Sequence, residues 1–234
     1  MLKVNNIDIS YGDIQVIYDV SFQVEKGKIF GIFGRNGAGK TTLLHGCVNL
    51  IPKGKGTILF ENNDITNMKT HLISSLGIGF TFQERCVFPM LTVKEHLSLV
   101  DENVFSNKKV HMVCSEAIEI FPDLQPLINR KASALSGGEA QMVKLAMVLV
   151  RKPLPKLMIF DEPSTGLSPA NILRFEEKIN ELNGKTTIII VEQVISYTIK
   201  LANNYAIIRD GRIIHKNEVK NVEQEEEVVK KYIL

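Results

Sequence analysis

The sequence predicts an α/β fold in which a mostly helical insertion interrupts a sheet-containing core. Three observations predict it. Uninterrupted apolar runs, one carrying Ile29, Phe30, Ile32 and Phe33 and another spanning Leu157 to Phe160, read as short buried strands. Between Leu91 and about Arg151 the apolar spacing turns helical, and strands return at 157–160, 186–191 and 205–209. Ahead of both, residues 3–9, 20–24 and 56–60 read as short strands of a small antiparallel sheet.

Taken in order, KGKIFGIFG (26–34) is a strand that leads into the helix-like TTLLHGCVNL, and GIGFTF (77–82) adds another strand. Thr92 and Glu95 form a capping box that opens KEHLSLV. Helix-like segments follow at 110–121 and 138–150, and Asp210-Gly211 makes a hairpin turn into RIIHK. The C-terminal segment is expected to be a helix with the acidic run Glu223 to Glu227 in solvent and Val219, Val222, Val228 and Val229 facing inward. The lysine-rich stretches PKGKG (52–56) and RKPLPK (151–156) read as solvated loops, and Gly12, Gly27 and Gly211 as turns. No internal repeat or low-complexity linker interrupts the chain.

The length of 234 residues suits one large domain or two intimately joined ones. A formal charge of +2 leaves no basic footprint, so no nucleic-acid partner is expected. Cys47, Cys86 and Cys114 lack paired spacing, which favours reduced thiols in a reducing compartment. The five His residues are scattered without metal-ligand spacing. No apolar stretch approaches the length of about 18 residues that a membrane span needs, and MLKVNNIDIS lacks the apolar core of a secretory signal. Any transport role would therefore need a separate membrane subunit.

Chemistry concentrates in GRNGAGKTT (34–42), LSGGE (135–139) and LMIFDE (157–162). The first fits G-x-x-x-x-G-K-[ST] through Gly34, Gly39, Lys40 and Thr41. A triphosphate needs many donors at close range, and glycines free the backbone to supply them. Strand, loop and helix in that order aim a helix N-terminus at the phosphates. Lys40 would reach the β- and γ-phosphates and the Thr41 hydroxyl would ligate Mg²⁺. Carboxylates at the C-terminal end of a buried strand lie where open α/β sheets bind ligands. Asp161 would hold Mg²⁺ through water and Glu162 would polarise the attacking water. Two glycine-rich phosphate-binding elements in one chain point to a nucleotide held between two copies of it.

With these residues assembled, the chain resembles the ATP-binding subunits of ABC transporters over nearly its full length. Tyr11 stands as the adenine-stacking aromatic with Val16 as an apolar neighbour of the base, GRNGAGKTT as Walker A, and Gln83 as the Q-loop. LSGGEAQ is the signature, LMIFDE is Walker B and STGLS the D-loop. The resemblance implies a P-loop NTPase (RecA-like) core with a small antiparallel β-subdomain and an inserted helical subdomain. In a single domain of residues 1–234, residues 1–83 and 153–234 would form the core and β-subdomain, and 84–152 the helical signature subdomain. ATP and Mg²⁺ are the implied cofactors. Gly34, Arg35, Asn36, Gly37, Ala38, Gly39, Lys40, Thr41 and Thr42 would cradle the nucleotide, against Ser136, Gly137 and Gly138 of the other subunit. Gln83 would join Thr41 and Asp161 at the metal, and Gln193 would contact the γ-phosphate or the attacking water.

The implied partners are an identical or paralogous ATPase, integral membrane permease subunits and a solute-binding protein. The implied location is the cytoplasmic face of the cell membrane, held peripherally. Within the family, YGDIQVIYDVSFQVEKG, VFPMLTVKEHL, DEPSTGLSP and VEQ (191–193) look like the importers of branched-chain amino acids and their relatives for urea or short amides. Phe88, Pro89 and Leu91 would line a groove for a helix of the membrane subunit. An exporter ATPase for a lipid or drug is the alternative. A soluble non-transport ABC ATPase is a further one, although the chain has neither long coiled coils nor a second cassette. The chain departs from common family patterns at Gln193, where His is frequent, and at Ser168, where a D-loop Asp is common.

Overall fold

A computed structural model describes residues 1–81, 87–100 and 107–233 of the chain. Two strands open it, β1 (Leu2–Tyr11) and β2 (Ile14–Val24), followed by β3 (Ile29–Phe33), α1 (Lys40–Cys47), β4 (Lys53–Phe60) and β5 (Asn63–Asp64). Next come α2 (Thr70–Ser75), β6 (Ile78–Thr81), α3 (Val93–Ser98), α4 (Asn107–Ile120) and α5 (Gly137–Leu149). The chain then runs through β7 (Leu157–Asp161), α6 (Pro169–Leu182), β8 (Thr187–Glu192), α7 (Ile195–Thr198), β9 (Asn204–Arg209), β10 (Arg212–Glu218) and α8 (Val222–Ile233).

The strands form two sheets. The smaller is antiparallel in the order β2-β1-β4-β5, and the larger runs β10-β9-β3-β8-β7-β6. In the larger sheet β9, β3, β8, β7 and β6 are mutually parallel, and β10 adds an antiparallel edge. Strands β3, β7 and β8 are buried along their whole length, as residues flanked by layers on both faces must be. One apolar cluster joins the small sheet and α1 to one face of the large sheet, through residues such as Ile9, Leu43 and Val191. A second joins α3, α4, α5 and α6 to the other face, through Leu97, Ala117, Val143, Phe160 and Phe175.

Local signals hold where the chemistry is strong. Thr92 Oγ1 accepts from the Glu95 amide at 3.2 Å, and Glu95 Oε2 accepts from the Thr92 amide at 2.7 Å, closing the expected capping box at α3. Asp210 and Gly211 both adopt positive φ, 51° and 71°, as a two-residue hairpin turn requires.

Two expectations are corrected. Lys53 to Gly56 form the first half of β4 instead of a loop, with Ile9 opposite Lys53 and Asp8 opposite Lys55. The Lys55 head stays in solvent and the Lys53 ammonium donates to the Gly46 carbonyl and Asn49 Oδ1 while the backbone completes the sheet ladder, so a lysine-rich stretch need not be a loop. At α8, Val229 is buried and Val219 packs on the same cluster as expected, but Glu225 is buried and Val222 is exposed, against the expectation. The helix presents Glu225 and Val229, one turn apart, to Tyr205, whose hydroxyl donates to Glu225 Oε2 at 2.7 Å. Asn217 donates to the same carboxylate, so the buried charge is hydrogen-bonded.

Candidate active site

The loop between β3 and α1 is shaped by Gly39, the N-cap of α1, whose φ of +101° is closed to ordinary side chains. This leaves the first-turn amides of α1 without intrahelical acceptors, an arrangement suited to anions. A cleft of about 290 Å³ opens over them, lined by Val16, Asn36, Gly37, Gly39, Lys40, Thr41, Thr42 and Glu162. Gly211 does more than turn the chain. Its amide donates to the Ala38 carbonyl at 3.0 Å and its carbonyl accepts from the Tyr18 amide at 2.9 Å, tying the loop to the strand that carries Val16.

Lys40 is buried and donates from Nζ to the carbonyls of Gly34 at 2.9 Å and Arg35 at 3.1 Å. The same ammonium lies 3.3 Å from Glu162 Oε1. Arg35 reaches outward instead, donating from Nε to the carbonyl of Ile233 at the end of α8.

Asp161 is the last residue of β7 and sits opposite Val191 of β8. Both of its carboxylate oxygens are buried without a hydrogen-bond partner among the described residues. Burial pushes its carboxyl up to about 6, while the Thr41 hydroxyl beside it pulls the other way without reaching hydrogen-bond geometry. Two orphaned anionic oxygens next to a hydroxyl are a set of hard oxygen donors that fits a divalent cation such as Mg²⁺. Among the described residues no cluster of three or more His, Cys, Asp or Glu could hold a metal by itself.

Glu162 follows with a positive φ of 46°, uncommon for a residue with a side chain. Its amide donates to the Val191 carbonyl at 2.9 Å. Its own carbonyl and that of Pro163 accept from Gln141 Nε2 at 3.3 and 3.2 Å. Glu192, 2% exposed at the end of β8, accepts from the Ser164 amide at 2.9 Å and the Gln193 amide at 3.2 Å. Burial pushes the Glu192 carboxyl up, and these two amides oppose the shift. Gln141 and Glu192 were both missed in the sequence, although Glu192 left a signal as a carboxylate closing the apolar run of TIIIVEQ.

The other expected residues do not line this cleft. Tyr11 stands half-exposed at the tip of the β1–β2 hairpin, paired with Ile14. Gln193 is exposed just beyond β8. Ser136, Gly137 and Gly138 form the start of α5, with Ser136 as N-cap in a capping box with Glu139. Gly138 packs so closely on the turn after Glu162 that a Cβ would lie 2.3 Å from the Gly166 carbonyl oxygen. Ser168 caps α6, its hydroxyl accepting from the Asn171 amide at 3.4 Å. Gln83, Phe82 and Cys86 lie outside the described residues.

Residues 17–165 match the protein family described as ABC transporter. Over 216 residues the chain is 35% identical to the high-affinity branched-chain amino acid transport ATP-binding protein BraG of Pseudomonas aeruginosa, covering 92% of this chain and 91% of that one. Over 236 residues it is 30% identical to the lipopolysaccharide export system ATP-binding protein LptB of Haemophilus influenzae, covering 100% and 97%. Among solved structures, a nucleotide-free ATP-binding cassette from an ABC transporter superposes with a TM-score of 0.79 at 28% identity, covering 100% of this chain and 99% of that one.

Proposed function

The chain belongs to the ABC transporter family of ATP-binding, ATP-hydrolysing subunits, and we propose that it powers import of branched-chain amino acids or related small polar solutes. The similarity to BraG over nine-tenths of both chains carries this reading. The LivF protein of Archaeoglobus fulgidus, named a probable branched-chain amino acid transport ATP-binding protein and 32% identical over 91% of this chain and 90% of that one, supports it. Export of a lipid is the second reading, favoured by the likeness to LptB along the whole chain.

In this proposal ATP lies in the cleft over α1, its phosphates on the first-turn amides of α1 and on Lys40. Lys40 already touches Glu162, so engaging a γ-phosphate shifts its charge from that carboxylate and leaves Glu162 able to accept a proton from water. When bound, a Mg²⁺ held by Thr41, Asp161 and Gln83 would offset charge on the β- and γ-phosphate oxygens. Gln193 presents an amide to the γ-phosphate or the water, and Tyr11 stacks on the base beside Val16. The exposed Ser136–Gly138 segment covers the nucleotide of a second copy or of a paralogous ATPase, a reading supported by its absence from the chain's own cleft.

Residues 84–152 act in this reading as the helical subdomain against the core of 1–83 and 153–234. No helix among the described residues is long and apolar enough to cross a membrane. The chain works peripherally at the cytoplasmic face on separate permease subunits, with a solute-binding protein outside. Phe88, Pro89 and Leu91 would form the groove for a permease helix, a reading supported by the exposure of Phe88 and Pro89 and the partial exposure of Leu91.

Cells lacking the chain test the proposal. Uptake of radiolabelled leucine, isoleucine and valine, with urea in a parallel arm, is expected to fall and to return with the parent chain but not with Glu162→Gln. Unchanged uptake of all four solutes with impaired lipid export would replace import by the second reading.

A further inference from the structure

A residue with a Cβ enters the left-handed region at a cost, and such conformations persist where the surroundings fix them. Glu162 is fixed from three sides. Its amide is bound to Val191, the carbonyls of Glu162 and Pro163 are held by the Gln141 side-chain amide, and Ser164 is held by the Glu192 carboxylate. Gln141 comes from α5 and Glu192 from β8, so two separate elements converge on one three-residue turn. Both side chains are buried, and neither lines the nucleotide cleft.

We infer that Gln141 and Glu192 are positioning residues that clamp the backbone from Glu162 to Ser164 and so fix the Glu162 carboxylate for hydrolysis. The inference rests on Glu162 being the base. Each side chain has the chemistry its place demands. Gln141 faces two carbonyl oxygens and must donate; a carboxylate there would meet them with lone pairs. Glu192 faces two backbone N–H groups and must accept twice; an amide in its place would turn an N–H toward one of them. Through its second bond Glu192 also binds the Gln193 amide, so one carboxylate sets the turn after Glu162 and the start of the Gln193 segment together.

The test uses the purified full-length chain carrying Gln141→Glu, Glu192→Gln or Glu162→Gln. Steady-state hydrolysis gives kcat and KM for ATP, a fluorescent ATP analogue gives affinity, and thermal melting gives Tm. Gln141→Glu and Glu192→Gln are expected to lower kcat by about 10-fold or more, the scale of one lost transition-state interaction. KM and analogue affinity should stay close to the parent; Tm should fall by only a few degrees in Glu192→Gln and Gln141→Met, and further in Gln141→Glu, which buries a carboxylate against two carbonyls. Should Gln141→Glu not fold, Gln141→Met, which keeps the volume and loses the donor, carries the same expectation. A parent-like kcat in the Gln141 and Glu192 variants while Glu162→Gln is inactive overturns the clamp alone. A drop in kcat that merely tracks a raised KM and a lowered Tm also overturns it. Full hydrolysis by Glu162→Gln removes the base itself, and the clamp with it.

Discussion

Lys40 Nζ lies 3.3 Å from Glu162 Oε1, with the two side chains only 4% and 11% exposed. A cation meant for phosphate and a carboxylate meant for water are thus joined in one buried pair. Removing the cation deletes a charge-assisted contact to phosphate and leaves the carboxylate without this partner. Lys40→Ala should weaken ATP binding by about 10- to 100-fold, as loss of a hydrogen bond to a charged group implies. Equilibrium binding of a fluorescent ATP analogue measures this, and unchanged affinity would remove Lys40 from the phosphate site.

Glu162→Gln keeps shape and loses the base. Hydrolysis should slow by about 10² or more while ATP binding persists. Trapped ATP should then hold a dimer visible by size-exclusion chromatography. Normal turnover would show that another group activates the water.

Ser136→Arg should disable the ATP held by the opposite subunit, because the added bulk enters the space of the γ-phosphate. Mixing Ser136→Arg chains with Lys40→Ala chains leaves one composite site free of both changes. Partial recovery of activity is expected. No recovery, under conditions where heterodimers demonstrably form, would count against the shared-nucleotide arrangement.

Gln193 carries an amide that donates a hydrogen bond yet has no proton to exchange near about pH 6.5, where an ordinary His titrates. Gln193→Ala should lower turnover by about 10-fold or more with ATP affinity nearly intact. Gln193→His should keep activity and add a pH dependence between about pH 6 and 7. Full activity of the Ala variant at every pH would remove Gln193 from the site.

Cys47 is enclosed at the end of α1, and burial pushes its thiol up to about 12. The folded state therefore holds this proton at pH values where the unfolded chain has lost it. Stability from this group is fully present below the ordinary thiol value of 9.0 and declines as pH rises from there toward about 12. Iodoacetamide at pH 8.5 should label Cys47 only when denaturant opens the fold, as read by peptide mass analysis. Rapid labelling of the native chain would show that the thiol is accessible.

The sequence made the buried strands legible because whole runs such as LMIF and TIIIV are apolar, and a fully buried strand leaves no other pattern. Capping chemistry at Thr92 and the Asp210-Gly211 turn were legible because each is a local rule. The phase of α8 was not, since Glu225 is turned inward by a hydroxyl and an amide that arrive from β9 and β10. The glycine loop and the Asp161-Glu162 pair announced themselves by spacing. Gln141 did not, because its partners are the backbone carbonyls of Glu162 and Pro163, and Glu192 showed itself only as a carboxylate closing an apolar run, since a carbonyl or amide partner leaves no mark on residue identity.

The contact between Gly138 and Gly166 leaves no room for slip between α5 and the turn that follows Glu162. A displacement of the α5 N-terminus along that line must be passed on within a single van der Waals separation. The surface at Ser136 and Gly137 and the turn at Ser164 to Ser168 therefore have one setting between them. A methyl group on Gly138 would act as a wedge, felt on the outer face and in the turn after Glu162 at the same instant.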